Sequence, residues 1–391
     1  LKIEADLTDR TPSRKLGASW KIALPRLKVL RRKTMTTAPN VLPILPEKNT
    51  SKVFRWQFAQ THPVLAYLLI TFAWTWLFWL AVVPLRGGND LLLMLIVLIG
   101  GYGPAIGGIL TLGLKNGMSL ALSQQQLQVL MTTAATILGL MIVRYWVGII
   151  PGYDRLPENL TLSGPIVVAA LGVCLVGGWV IATARSSNID VREKMASLLP
   201  VHLPWRWTLF ALFFFPVLLL LSWGIGTALG QSIEYPALWA RSLVEVIPLF
   251  LLAFTLTALA RGGMEEPGWR GLLQPALQNT FSPLLASLIV AFFWSLWHLP
   301  LFLNGFYPEP LVAGMVGGGI YRILLAIFLT WFYNRSGGNL LLLVILHTSF
   351  NVMVNYLPLA ESVLTVLWLL VAVAVVVKDK MYRTLPSLVQ G

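Results

Sequence analysis

The stretch Val64-Leu-Ala-Tyr-Leu-Leu-Ile-Thr-Phe-Ala-Trp-Thr-Trp-Leu-Phe-Trp-Leu-Ala-Val-Val-Pro84 decides the fold, because it runs without a single Asp, Glu, Lys, Arg or His. At ~1.5 Å per residue, a helix of about 20 such residues crosses the roughly 30 Å hydrocarbon core of a bilayer. The run begins past residue 60 and is too long for the apolar region of a secretory signal peptide. Comparable runs follow at 91–113, 131–150, 164–184, 207–229, 242–260, 284–303, 311–333, 340–357 and 361–378. The pattern predicts an all-α fold, a polytopic transmembrane helical bundle of roughly 8 to 10 spans around a buried polar cavity. Punctuation between the runs is that of short loops: Pro84 with Gly87-Gly88, Pro151-Gly152, Arg185 to Lys194, and Asn334 to Gly338.

Composition points the same way. Apolar residues make up 57% of the 391 residues and charged residues only 12%, which fits neither a water-soluble enzyme nor a disordered chain. The lone Cys174 cannot form an intrachain disulfide or a thiolate metal cluster. Of the net charge of +13, residues 1–34 carry +7, ten Lys and Arg set against Glu4, Asp6 and Asp9. Residues 1–62 therefore read as a basic, disordered arm. Part of it precedes the true start if translation begins at Met35; otherwise its charge suits anionic lipid headgroups. Nucleic acid is not an expected partner, since the Arg31-Arg32-Lys33 cluster lacks interleaved aromatics and any binding motif. The division continues with transmembrane helices over 63–260, a core over 261–357, and a last helix with a basic tail over 358–391. The expected setting is a bacterial plasma membrane.

Ionisable groups at membrane depth are costly and mark function by default. Here the informative ones cluster between 261 and 351: Glu265, Glu266 and Arg270 in Arg261-Gly-Gly-Met-Glu-Glu-Pro-Gly-Trp-Arg270, His298 in Trp294-Ser-Leu-Trp-His298, and His347 with Asn351 in His347-Thr-Ser-Phe-Asn351. Gly262-Gly263 breaks the preceding helix and Pro267 suits the first turn of a new one. Glu266 and Arg270, spaced i,i+4 with the acid first, suit a structural clamp that leaves Glu265 free to meet water. If 264–280 is helical and turns back at Phe281-Ser282-Pro283, Glu265 and His298 both lie about 21–22 Å along antiparallel neighbours. His347 and Asn351 share one face of a later helix. Such a pocket suits hydrolysis: a carboxylate and an imidazole activate water, while a second imidazole and an amide N–H stabilise an oxyanion. The bland alternative is a hydrogen-bond network that only holds helices together. His62 and His202 flank spans as interfacial residues, and Arg322 lies within a span without an assigned role. Glycines around Pro104, and Pro216 within the fifth run, are read as packing features. His-Glu-x-x-His, Gly-x-Ser-x-Gly, Gly-x-Gly-Asp, P-loop and dinucleotide signatures are all absent.

These residues resemble the motifs of the CPBP family of intramembrane endopeptidases, also called the Abi or CAAX protease family, which includes the type II CAAX prenyl endopeptidases. Glu265-Glu266-Pro-Gly-Trp-Arg270 is similar to Glu-Glu-x-x-x-Arg, and His347 to Asn351 to His-x-x-x-Asn. Trp294 to His298 resembles Phe-x-x-x-His with Trp for Phe, a change read as altering packing more than chemistry. The resemblance implies catalytic Glu265, His298, His347 and Asn351, with Glu266 and Arg270 in support. It implies a peptide or lipidated protein substrate cleaved through a Glu/His-activated water. A divalent metal, zinc, held by Glu265, His298 and His347 is the alternative; a metal-free site is expected, because those ligands come from three separate segments. A non-catalytic binding, immunity or transport protein using the same pocket is the competing function. Loop charges leave 264–280 open as a crossing or a re-entrant segment.

Overall fold

The computed structural model describes residues 53–86, 90–119, 121–147, 163–200 and 203–384. The proposed arm up to residue 52, Gly87-Gly88, Pro151-Gly152, His202 and residues 385–391 lie outside the described residues.

The structure is all-α. Its main helices are α1 (Pro63–Ala81), α2 (Asp90–Gly101), α3 (Gly103–Asn116), α4 (Gln124–Val147), α5 (Gly164–Ala182), α6 (Trp205–Ala228), α7 (Leu243–Ala260), α8 (Pro283–Trp297), α9 (Leu311–Arg335), α10 (Leu340–Met353) and α11 (Glu361–Lys378). A two-residue antiparallel pair, β1 (Val53–Phe54) with β2 (Met118–Ser119), is the sheet present among the described residues. Nine helical segments there are long and apolar enough to cross a membrane. Every apolar run read from the sequence is helical over most of its length. The protein is an integral, multi-pass membrane protein.

Side-chain exposure follows the solvent. Leu77, Val168, Phe213 and Phe292 stand more than half exposed on outer faces, the arrangement expected where lipid rather than water covers the surface. The interior is organised around α10, whose 14 residues reach only about 21 Å, short of a full crossing. This short helix needs protein around it. It packs on α6, α7 and α9, and Leu340, Leu342, Leu343 and Leu346 are fully buried. Glycines let α3 approach the site: a Cβ on Gly268 would run into the Pro104 carbonyl, and one on Gly108 would stand 3.2 Å from that of Pro267. Of the glycines before Pro104, Gly100 and Gly103 pack closely, where a Cβ would meet Trp79 and Thr75, whereas Gly101 borders open space.

The segment that carries the first motif is composite. α7 ends at Arg261, whose extended backbone (φ −136°, ψ −140°) interrupts the helix. A 3-10 turn follows over Gly262–Glu265, then helical residues Glu266–Gly268, a π-helical stretch Trp269–Leu273 and a last α-turn Gln274–Gln278. The chain reverses and α8 begins at Pro283, with the Ser282 hydroxyl capping it by accepting the Leu285 N–H at 3.3 Å.

Candidate active site

The site is assembled from three segments: 262–270, the C-terminal end of α8, and α10. Pro267 occupies the first turn of the helical residues 266–268, where its missing N–H costs no hydrogen bond. One turn on, Arg270 reaches back and Nη1 donates to Glu266 Oε1 at 3.1 Å, both residues fully buried. This is the i,i+4 clamp that the spacing predicts. Glu266 Oε1 also accepts from His347 Nδ1 at 2.6 Å, so one carboxylate oxygen ties the clamp to α10.

Glu265 lies on the wall of a cavity of about 330 Å³ together with His298 and Asn351. Its Oε2 accepts the indole N–H of Trp294 at 2.6 Å. The level of closest approach on α8 is thus Trp294, one turn before His298. The count from the turn placed His298 itself there; the 3-10 and π stretches depart from the uniform 1.5 Å rise on which the count rests. Trp294 for Phe also does more than alter packing, because the indole supplies a donor that a phenyl ring lacks. The same ring receives the Arg270 guanidinium on its face at 4.6 Å and meets His347 edge-on at 5.5 Å. Sequence reading missed this role, although the residue stood inside a motif already quoted.

His298 has a defined tautomer when neutral. Its Nδ1 lies 2.7 Å from the Trp294 carbonyl oxygen, and a carbonyl can only accept, so Nδ1 carries the proton and Nε2 keeps a lone pair. Tryptophans fix the ring's position. Trp297 N–H donates to Thr75 Oγ1 at 2.8 Å, and Trp76 N–H donates to the Trp297 carbonyl at 3.2 Å, anchoring this end of α8 to α1. Trp297 also stands edge-on to His298 at 4.7 Å.

His347 and Asn351 share a face of α10 and converge on Gly262: a Cβ there would collide with Asn351 Nδ2 and stand 3.1 Å from His347 Nε2. Gly262, read from sequence as a helix breaker, therefore also leaves room for the motif side chains. All six sequence-predicted residues come together. Glu265, His298 and Asn351 face the cavity, and Glu266, Arg270 and His347 form the buried network behind it.

A zinc ion needs three or more donors converging at about 2.0–2.2 Å from one point. Among the described residues no three His, Cys, Asp or Glu side chains are so grouped. His347 Nδ1, His298 Nδ1 and Glu265 Oε2 are engaged with protein partners, which leaves Nε2 of each ring and Oε1 of Glu265 as the atoms that could ligate. As placed, these atoms are not grouped around one point as a metal centre requires.

Residues 247–353 match the family model for type II CAAX prenyl endopeptidases, Rce1-like. The chain is also 28% identical over 224 residues to CAAX prenyl protease 2 of Methanococcus maripaludis, a match covering 53% of this chain and 80% of that protein. The matched region contains all three motifs and the whole of the site assembled above. Motif, geometry and similarity converge: the chain resembles the CPBP (Abi, or CAAX protease) family of intramembrane endopeptidases.

Proposed function

We propose that this protein is an intramembrane endopeptidase that hydrolyses a peptide bond in a lipidated, CAAX-like protein substrate by a metal-free mechanism. The observation that carries this reading is the pairing, on one cavity wall, of a carboxylate with a histidine whose Nε2 lone pair is available. Glu265 Oε2 is held by Trp294, which leaves Oε1 as the atom that meets water. Glu265 and His298 orient a water and take its proton as its oxygen adds to the scissile carbonyl carbon. The carbonyl oxygen becomes an oxyanion facing Asn351 and His347. The Asn351 amide donates directly. His347 stands behind it, its Nδ1 held by the Glu266 carboxylate and its Nε2 beside Gly262. Collapse of the tetrahedral intermediate breaks the C–N bond, and the proton held at the site passes to the leaving nitrogen, giving a carboxylate and an amine. Arg270 and Glu266 touch no substrate; they hold His347 and the start of the helix.

The test compares wild type with Glu265→Ala and His298→Ala on lipidated and unmodified peptides, with and without a chelator. The expected result is cleavage lost in both variants and retained with chelator. Loss of wild-type cleavage on chelation would replace this mechanism by the metal one at Glu265, His298 and His347. Equal inactivity of all three proteins across the panel would favour a binding or transport role.

A further inference from the structure

Arg322 is a cation that the mechanism does not use. It sits near the middle of α9, within a membrane-spanning segment, where an uncompensated charge is costly and marks function. No carboxylate lies within ion-pair distance of it among the described residues. Its Nη1 is buried without a hydrogen-bond partner there. The guanidinium folds back over Gly318, since a Cβ on that glycine would stand 2.7 Å from Nη1 and 3.4 Å from Cζ. The side chain thus points toward the N-terminal end of α9, the direction of the loop that carries Tyr307. Tyr307 and His298 both lie within electrostatic reach of it. Tyr307 in turn stacks on His298, 6.1 Å between centroids and 16° between planes, and lines the cavity with Glu265. Burial pushes the Tyr307 phenol above its usual pKa, so it stays protonated as a donor.

We propose that Arg322 and Tyr307 form an anion subsite that binds the free C-terminal carboxylate of the peptide. The inference rests on the endopeptidase reading and adds to it the group that recognises the chain end. A CAAX sequence is by definition C-terminal, and a guanidinium with a neighbouring hydroxyl is well suited to a carboxylate.

The experiment uses the full-length protein and pairs of lipidated peptides that differ only in a C-terminal acid or amide. Wild type is expected to cleave the acid at least tenfold better in kcat/KM. In Arg322→Gln that preference should shrink to less than about threefold, with Arg322→Lys in between. A merely structural role would slow both peptides together and leave the ratio intact. Equal cleavage of acid and amide by wild type, or an unchanged ratio in Arg322→Gln, would overturn the proposal. A second measurement needs no turnover: the thermal shift given by a tripeptide acid, its amide, and myristate. A shift by the tripeptide acid alone, lost in Arg322→Gln, supports the subsite even if no peptide in the panel is cleaved. A shift by myristate but not the tripeptide acid would assign the cation to a lipid carboxylate and overturn the peptide reading.

Discussion

Glu265 divides its two oxygens between the Trp294 indole and the cavity, which makes Trp294 the residue where aim and chemistry meet. Trp294→Phe keeps an aromatic ring and removes only the N–H. A hydrogen bond to a charged group is worth about 1.5–3 kcal/mol, so kcat should fall about 10- to 100-fold while KM changes by less than about threefold. Steady-state kinetics on one cleaved peptide checks this; an unchanged kcat would mean the indole only packs. Glu266 is a different case, because its oxygen serves Arg270 and His347 at once in a site closed to solvent. Glu266→Ala leaves a buried guanidinium uncompensated. The cost of breaking such a pair is about 3–5 kcal/mol, so the expected outcome is a large drop in thermal stability in detergent along with lost cleavage. Sequence spacing shows the Glu266–Arg270 clamp. It does not show that His347, 81 residues away, draws on the same oxygen.

At the scale of elements, the site depends on how closely α3 approaches residues 266–268. Gly268 meets the Pro104 backbone where any Cβ would stand, and backbone, unlike a flexible side chain, cannot turn aside. Gly268→Ala should therefore destabilise by about 1–3 kcal/mol, as overpacked cores do, and should lower activity by shifting the helix that carries Glu265. Thermal unfolding of the purified variant measures it, and wild-type stability would contradict the packing. At the edge of the bundle, the Arg335 guanidinium, and secondarily the Trp331 indole, hold the Asp379 carboxyl below its usual pKa. A lowered native pKa adds stability that is complete above the unfolded value of about 3.9 and fades as pH falls below it. The pair is largely exposed on its Arg335 side, so Asp379→Asn should cost at most about 1 kcal/mol at neutral pH. That difference should vanish in strong acid, as read from unfolding curves across pH.

For the whole molecule, the deciding condition is that its solvent is lipid. Leu77 is 68% exposed on α1, in a run that carries no charge, and its surroundings in the membrane are acyl chains. Leu77→Arg adds about 2.5–3.5 kcal/mol to the cost of inserting that helix, and the expected result is a reduced yield of membrane-integrated protein, whereas Leu77→Phe should be neutral. Quantifying the two variants in the membrane fraction tests the orientation of α1. If both insert equally well, Leu77 faces protein or water instead. The same condition explains the placement of polar groups. With lipid outside, the ionisable side chains of the three motifs gather where α10, too short to span alone, is enclosed by its neighbours.

The sequence by itself determined the helical spans, the break at Gly262-Gly263, the Glu266–Arg270 pair and the membership of all six site residues, because each follows from apolar run length or from spacing along one helix. Only the tertiary structure decided which atoms meet across helices: Trp294 on Glu265, His347 on Glu266, Gly268 on Pro104 and Arg322 folded over Gly318 toward Tyr307. Those contacts depend on helix tilt, on the 3-10 and π departures between 262 and 273, and on rotamers fixed by packing. None of these is encoded in the spacing of residues along a single helix, since each arises only when several helices compete for the same interior volume.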